Sequence, residues 1–117
     1  MHEYPITKSI CRIAVEEAER IGAKKICAIR ICQGDYADYV PEVVQEYFDI
    51  VSEGTLAEGA QIEIRKIPAV IFCRDCGVES QGEHFRMRCP ICNGRNTELK
   101  AGKEFYIESM EIEEDGD

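Results

Sequence analysis

The 117-residue sequence predicts an α/β domain interrupted by a cysteine module. Three observations predict it. Helix-period and strand-period apolar patterns alternate through the first 67 residues. Two C-x-x-C pairs follow, at Cys73/Cys76 and Cys89/Cys92. A strand pattern then returns in "KEFYIESMEIE". The reading is α/β: a small sheet with two helices in 1–68 plus 104–117, with the module inserted at 69–103.

The first helix is expected over 6–21, where Ile6, Ile10, Ile13, Ala14, Ala18 and Ile21 recur at helical spacing. Gly22 suits a left-handed cap after it. "KKICAIRICQG" reads as a strand with Ile26, Ala28 and Cys32 on one face and Cys27, Ile29 and Ile31 on the other. Apolar residues on both faces imply cover on both sides. Pro41 opens a second helix, where its missing N–H does no harm. Val43, Val44, Tyr47, Phe48 and Val51 form its stripe, and Gly54 is the expected stop. "AQIEIRKI" alternates as a strand, and "AVIFC" leads into the cysteines. In the final strand Ile107 is out of phase with Met110 and Ile112, which places a bulge near Ser109.

The chain carries a formal net charge of -9, with much of it in the tail "EIEEDGD". Such a chain is repelled by nucleic-acid phosphates unless a local basic patch overrides it. No stretch is long or apolar enough to span a membrane, and no charged-then-apolar leader opens the sequence. The expected location is the cytoplasm. Seven cysteines, odd in number and with four in tandem pairs, suggest metal binding in a reducing compartment, not a disulfide framework.

The module reads Cys73-x2-Cys76-x12-Cys89-x2-Cys92. Zinc takes four thiolates in a tetrahedron, and a two-residue spacer lets each pair grip one edge from a tight turn. Gly77 and Pro90 are turn residues of the kind such knuckles need. Four protein ligands leave no open position for water, so the site reads as structural, a zinc-ribbon-like module. Metal would supply folding energy to a segment with too little core of its own. A thioredoxin-like redox pair does not account for two pairs in tandem. A rubredoxin-like iron site uses the same ligands, but the short spacer and lack of aromatic cover weaken it. Cys11, Cys27 and Cys32 share no ligand spacing and read as small buried hydrophobes.

The competing functional class is a zinc-ribbon nucleic-acid or transcription-associated module. Arg86, Arg88 and Arg95 are locally basic, but Glu79 and Glu83 lie among them and Phe85 is the lone aromatic for stacking. An enzyme is not expected, since no Ser/His/Asp set, phosphate loop or open metal site is visible.

The sequence opens "MHEYP". His2 is large, so Met1 is expected to be retained. The Met1 amine, the deprotonated His2 amide and a His2 ring nitrogen can chelate one ion together. Nickel(II) and copper(II) favour such planar nitrogen sites. Glu3 would complete the plane or hold the imidazole from outside it. By itself a terminal histidine is an ordinary solvated residue.

"MHE", "FDIVSEGTLAEGAQIEI", the two C-x-x-C pairs with "CPICNG", and "AG…FYIESMEIE" resemble, in this order, the HypA/HybF family of hydrogenase-maturation accessory proteins. The resemblance runs over nearly the whole chain. It implies a nickel metallochaperone that binds Ni(II) through Met1, His2 and Glu3 and carries structural Zn(II) on Cys73, Cys76, Cys89 and Cys92. It further implies a GTPase partner and delivery of nickel to the large subunit of the [NiFe]-hydrogenase precursor, with some members serving urease maturation. The implied fold is a nickel-binding α/β domain carrying an inserted zinc domain. The sequence departs from the family at Asn93, where many members have histidine. The other imidazole, His84, reads as a solvated module residue.

Overall fold

The computed structural model describes residues 3–81 and 87–114. Among these residues two helices, α1 (Glu3–Arg20) and α2 (Pro41–Val51), accompany six strands: β1 (Ala23–Gly34), β2 (Gln61–Ile67), β3 (Val70–Cys73), β4 (Glu79–Gln81), β5 (Thr97–Ala101) and β6 (Phe105–Glu114). Two three-stranded sheets form, in the orders β2-β1-β6 and β4-β3-β5. The α/β class and the inserted ribbon-like module are as expected.

Helix α1 begins three residues earlier than its apolar period suggests. Pro5 lies in the first turn, where a backbone N–H has no intrahelical partner in any case. Glu3 lies there too, where a carboxylate complements the helix dipole. At the other end Gly22 takes the left-handed conformation (φ 76°) and donates its N–H to Glu19 O at 3.1 Å. Helix α2 starts at Pro41 as expected. It ends at Val51, with Ser52 as its cap, ahead of Gly54.

By contact the chain divides into two compact units. The first is Met1–Ile31, Tyr39–Ile64 and Ile107–Asp117. In it α1 packs against α2. Thr7, Ile10, Cys11, Ala14 and Ala18 are buried on α1, as are Val44 and Phe48 on α2. Each fully buried Ile or Phe contributes about 1.5–3 kcal/mol. Ile26, Ile29, Ile31 and Phe48 are therefore the main source of stability here, while the alanines let the helices approach. Tyr4 meets Tyr47 edge-on, with ring centroids 5.3 Å apart. Exposed Arg30 of β1 reaches Glu63 of β2 at 3.0 Å and Glu111 of β6 at 3.7 Å, a charged rung across this sheet. Along β6 the alternation of exposure slips by one residue at Ser109 and Met110, where the apolar phase shifts in the sequence.

The second unit is Cys32–Asp38 and Arg65–Tyr106. Strand β3 pairs antiparallel with β4 (Ile71↔Ser80) and with β5 (Phe72↔Glu98, Cys73↔Thr97), with an irregularity between Val70 and Ile71. Ile71 and Ala69 are fully buried. The chain leaving β5 lies directly on the end of β1. Tyr36 N–H donates to Gly102 O at 2.7 Å, and Gly34 N–H to Glu104 O at 2.8 Å. A Cβ on Gly34 would stand 2.1 Å from the Gly102 carbonyl carbon, so only glycine fits. Gly102 itself has φ 129°.

Candidate metal centre

Cys73 ends β3, and the chain then turns through Arg74–Asp75 to Cys76. Cys73 O accepts the N–H of Gly77 at 2.8 Å, and Cys73 N–H donates to Val78 O at 3.0 Å. The second pair repeats the pattern. Cys89 O accepts the N–H of Asn93 at 2.8 Å, and Cys89 N–H donates to Gly94 O at 3.0 Å. The residue after each pair is left-handed, with φ 72° at Gly77 and 59° at Asn93. Asn93 is thus the counterpart of Gly77, and asparagine is among the few side chains that tolerate this conformation. Its Oδ1 accepts from Arg88 Nη1 at 3.4 Å. Asn93 shapes the knuckle, a role that one sequence read against a histidine-bearing motif does not reveal.

The two knuckles face each other. Cys73 Sγ lies 3.6 Å from Cys92 Sγ, and Cys76 Sγ 3.5 Å from Cys89 Sγ. All four sulfurs lie within 4.8 Å of one another. Metal–sulfur bonds of about 2.3 Å in a regular tetrahedron set sulfurs about 3.8 Å apart, so the cluster fits a single tetrahedral ion. Among the described residues this is the one group of metal-ligating side chains close enough to share an ion. Cys73 and Cys89 are buried, while Cys76 and Cys92 are exposed.

Proton chemistry points the same way. The Cys76 thiol is pushed up to about 12, chiefly because it hydrogen-bonds to Cys89. Cys89 is brought down to about 7, chiefly by the N–H of Cys92 and aided by that of Ile91, which lies 3.4 Å from its sulfur. Crowded sulfurs share protons instead of all ionising. A divalent cation replaces those protons and lets all four bind as thiolates.

The remaining cysteines stay out of this site. Cys11 is buried with its Sγ 3.9 Å from Val51 O, and burial pushes its thiol up. Cys32 is buried and receives a hydrogen bond from Arg65 Nη2 at 3.0 Å. Cys27 is half-buried.

Of the expected nickel-binding residues, Met1 and His2 lie outside the described residues, as does His84. Glu3 is nearly buried, with 8% of its surface exposed. Its Oε2 accepts the backbone N–H of Val40 at 3.2 Å, and its carbonyl oxygen accepts from Thr7 Oγ1 at 2.5 Å. Val40 is the cap of α2 and has no side-chain hydrogen bond of its own there. No sequence signal pointed to Val40.

A small α/β body and a four-cysteine ribbon together define a metal-handling domain of a particular kind, and comparison with known proteins identifies which. A family model described as hydrogenase/urease nickel incorporation, metallochaperone, HypA matches residues 1–112, and the chain belongs to that family. The chain is 41% identical over 115 residues to the hydrogenase maturation factor HypA of Dehalococcoides mccartyi strain 195, covering 98% of this chain and 97% of that one. It is 39% identical over 114 residues to the HypA of Caldanaerobacter subterraneus subsp. tengcongensis, covering 97% and 100%. In fold it resembles the solution structure of the Ni metallochaperone HypA from Helicobacter pylori, with TM-score 0.68 and 20% identity over 97% of this chain and 98% of that one.

Proposed function

We propose that this chain binds Ni(II) at its amino terminus, through Met1, His2 and Glu3, and delivers it to the large subunit of [NiFe]-hydrogenase during maturation. Cys73, Cys76, Cys89 and Cys92 would hold Zn(II), which fixes the fold of the module and takes no part in transfer. The family match supports this reading because it begins at residue 1 and so includes the terminal motif. The observation that carries it on this chain is the anchoring of Glu3 in the first turn of α1 by Val40. The chelating groups of Met1 and His2 then begin immediately before a fixed point. Held there, Glu3 fills the fourth position or orients the imidazole from outside it.

The two metals differ in kind. A four-thiolate site is closed and retains its ion, while a terminal amine–amide–imidazole set exchanges with a partner and sheds protons to bind. Such transfer needs no catalysis by this chain. The partners in this reading are a nickel-insertion GTPase and the large subunit of the hydrogenase precursor, with urease maturation proteins as further partners, and the setting is the cytoplasm. The domain division that accompanies it is a nickel-binding body of 1–68 plus 104–117 and a zinc-binding module of 69–103.

Nickel titration of the zinc-loaded protein tests the proposal, alongside His2→Ala and a variant with one residue added before Met1. Both changes should abolish tight nickel binding and leave about one zinc per chain. Unchanged nickel affinity in either variant would remove the terminal site.

A further inference from the structure

We propose that Cys76 and Cys92 form a reactive edge of the four-cysteine site, where a neutral electrophile of the peroxide class oxidises the thiolates, closes disulfides to Cys89 and Cys73, and expels the metal. The proposal rests on reading the cluster as a zinc site.

The asymmetry of the site carries the argument. Cys73 and Cys89 are each 1% exposed, whereas Cys76 and Cys92 are open to solvent. The cause lies in the knuckles. The first cysteine of each pair is held by two backbone hydrogen bonds at the base of its turn, and the second stands at the open end. The residues beside the second cysteines give no cover. A Cβ on Gly77 would meet nothing within 4 Å, and one on Gly94 would stand 3.2 Å from Cys92 Sγ. A methyl at Gly94 would lie against that sulfur, and glycine leaves it uncovered on that side.

The surroundings also choose the reagent. The same point beside Gly94 is 3.4 Å from Asp75 Oδ2, a carboxylate held by Asn96 at 3.1 Å. Four thiolates around a divalent ion add a net double negative charge. A small neutral oxidant meets these sulfurs without an electrostatic penalty from this charge. The rim is partly apolar, with Ile91 68% and Val78 40% exposed.

The chemistry balances. A thiolate, not a thiol, is the nucleophile, and the metal keeps these sulfurs deprotonated. One thiolate of the edge attacks a peroxide oxygen, the O–O bond breaks, and a sulfenic acid forms as hydroxide leaves. The adjacent thiolate attacks the sulfenic sulfur, forming the S–S bond and releasing a second hydroxide. Two protons convert both to water. Two thiolates lose two electrons and one peroxide gains them. The adjacent sulfur is Cys89 for Cys76, at 3.5 Å, and Cys73 for Cys92, at 3.6 Å. Either disulfide leaves the ion too few ligands.

The test uses the full-length zinc-loaded protein. Its metal content is measured first, and a protein isolated without firmly held zinc overturns the underlying site reading, and the proposal with it. Limited treatment with iodoacetamide is then mapped by mass spectrometry. Cys76 and Cys92 should be labelled about tenfold faster than Cys73 and Cys89. Hydrogen peroxide should release zinc to a chromogenic chelator in step with disulfides that join the two knuckles. Gly94→Ala should slow labelling of Cys92 and leave Cys76 unchanged. Even labelling of all four cysteines, disulfides confined within each C-x-x-C pair, or an unaltered Cys92 rate in Gly94→Ala would each overturn the proposal.

Discussion

The carboxylate of Glu3 accepts the backbone N–H of Val40, 37 residues away in sequence, at 3.2 Å. A capping-box glutamate would serve this donor from within α2. Here the start of α1 supplies it, and the negative charge sits near the positive end of the α2 dipole. A hydrogen bond to a charged group contributes about 1.5–3 kcal/mol when buried, and less where water can replace it. Glu3→Ala should therefore destabilise the protein by about 1–2 kcal/mol in urea unfolding, and Glu3→Gln by less, because its amide oxygen still accepts. Both should lower nickel affinity, the alanine variant more. Equal stability of Glu3→Ala and wild type would dismiss the anchor.

Asn93 tests the matched knuckles. Glycine there should keep chelator-resistant zinc at the wild-type level, since the position is left-handed and φ is 59°. Valine should speed zinc loss to a chelator, because a β-branched side chain strains this conformation by about 1–2 kcal/mol. A valine variant that holds zinc as firmly as wild type would count against the role of the turn.

Gly34→Ala should be far more damaging than an ordinary surface change. Its methyl would stand 2.1 Å from Gly102 backbone that hydrogen bonds hold in place. Overpacking of this kind costs about 1–3 kcal/mol or more. The expected result is a lowered unfolding midpoint and loosened β5–β6 amides in hydrogen exchange. An unshifted midpoint would show that the contact yields easily.

Acidification should empty the cysteine site. Protons compete with metal for the sulfurs, and Cys89 regains its own as pH falls through about 7 in the metal-free cluster. Bound metal holds the thiolates to a lower pH than that, so retained zinc should stay near one per chain at neutrality and fall on stronger acidification, read by metal analysis after dialysis at stepped pH. For Cys11 the sign is opposite. Its raised value favours the thiol, so its contribution to stability is present below the unfolded value of 9.0 and lost as pH rises through the folded one.

Much of this architecture is written in local patterns. Pro41, the helical stripe of α1 and the two C-x-x-C pairs are short-range signals: α2 starts at Pro41, Ile10, Ala14 and Ala18 are buried as expected while Ile13 and Ile21 of the same stripe are exposed, and the four cysteines come together. Strands β4 and β5 were not legible. "ESQ" and "TELKA" lack strand character and exist as partners of β3. The early start of α1 was missed because its first turn holds Glu3, Tyr4 and Pro5, outside the apolar period. The Glu3–Val40 bond and the Gly34–Gly102 contact join distant parts of the chain, and no window of sequence contains both ends. Asn93 read as a missing histidine because motif comparison sees side chains, while its role here lies in the backbone.

The repeated knuckle has a consequence for assembly. In each, both backbone hydrogen bonds close within six residues, from Cys73 to Val78 and from Cys89 to Gly94. The curvature of each ligand arm is thus set by its own neighbours, and an arriving ion need only join two arms that are already bent. Loop closure between the pairs then remains the main entropic cost of loading. Substitutions between the two knuckles, at residues 79–88, should change how fast metal enters more than the shape of the site that receives it.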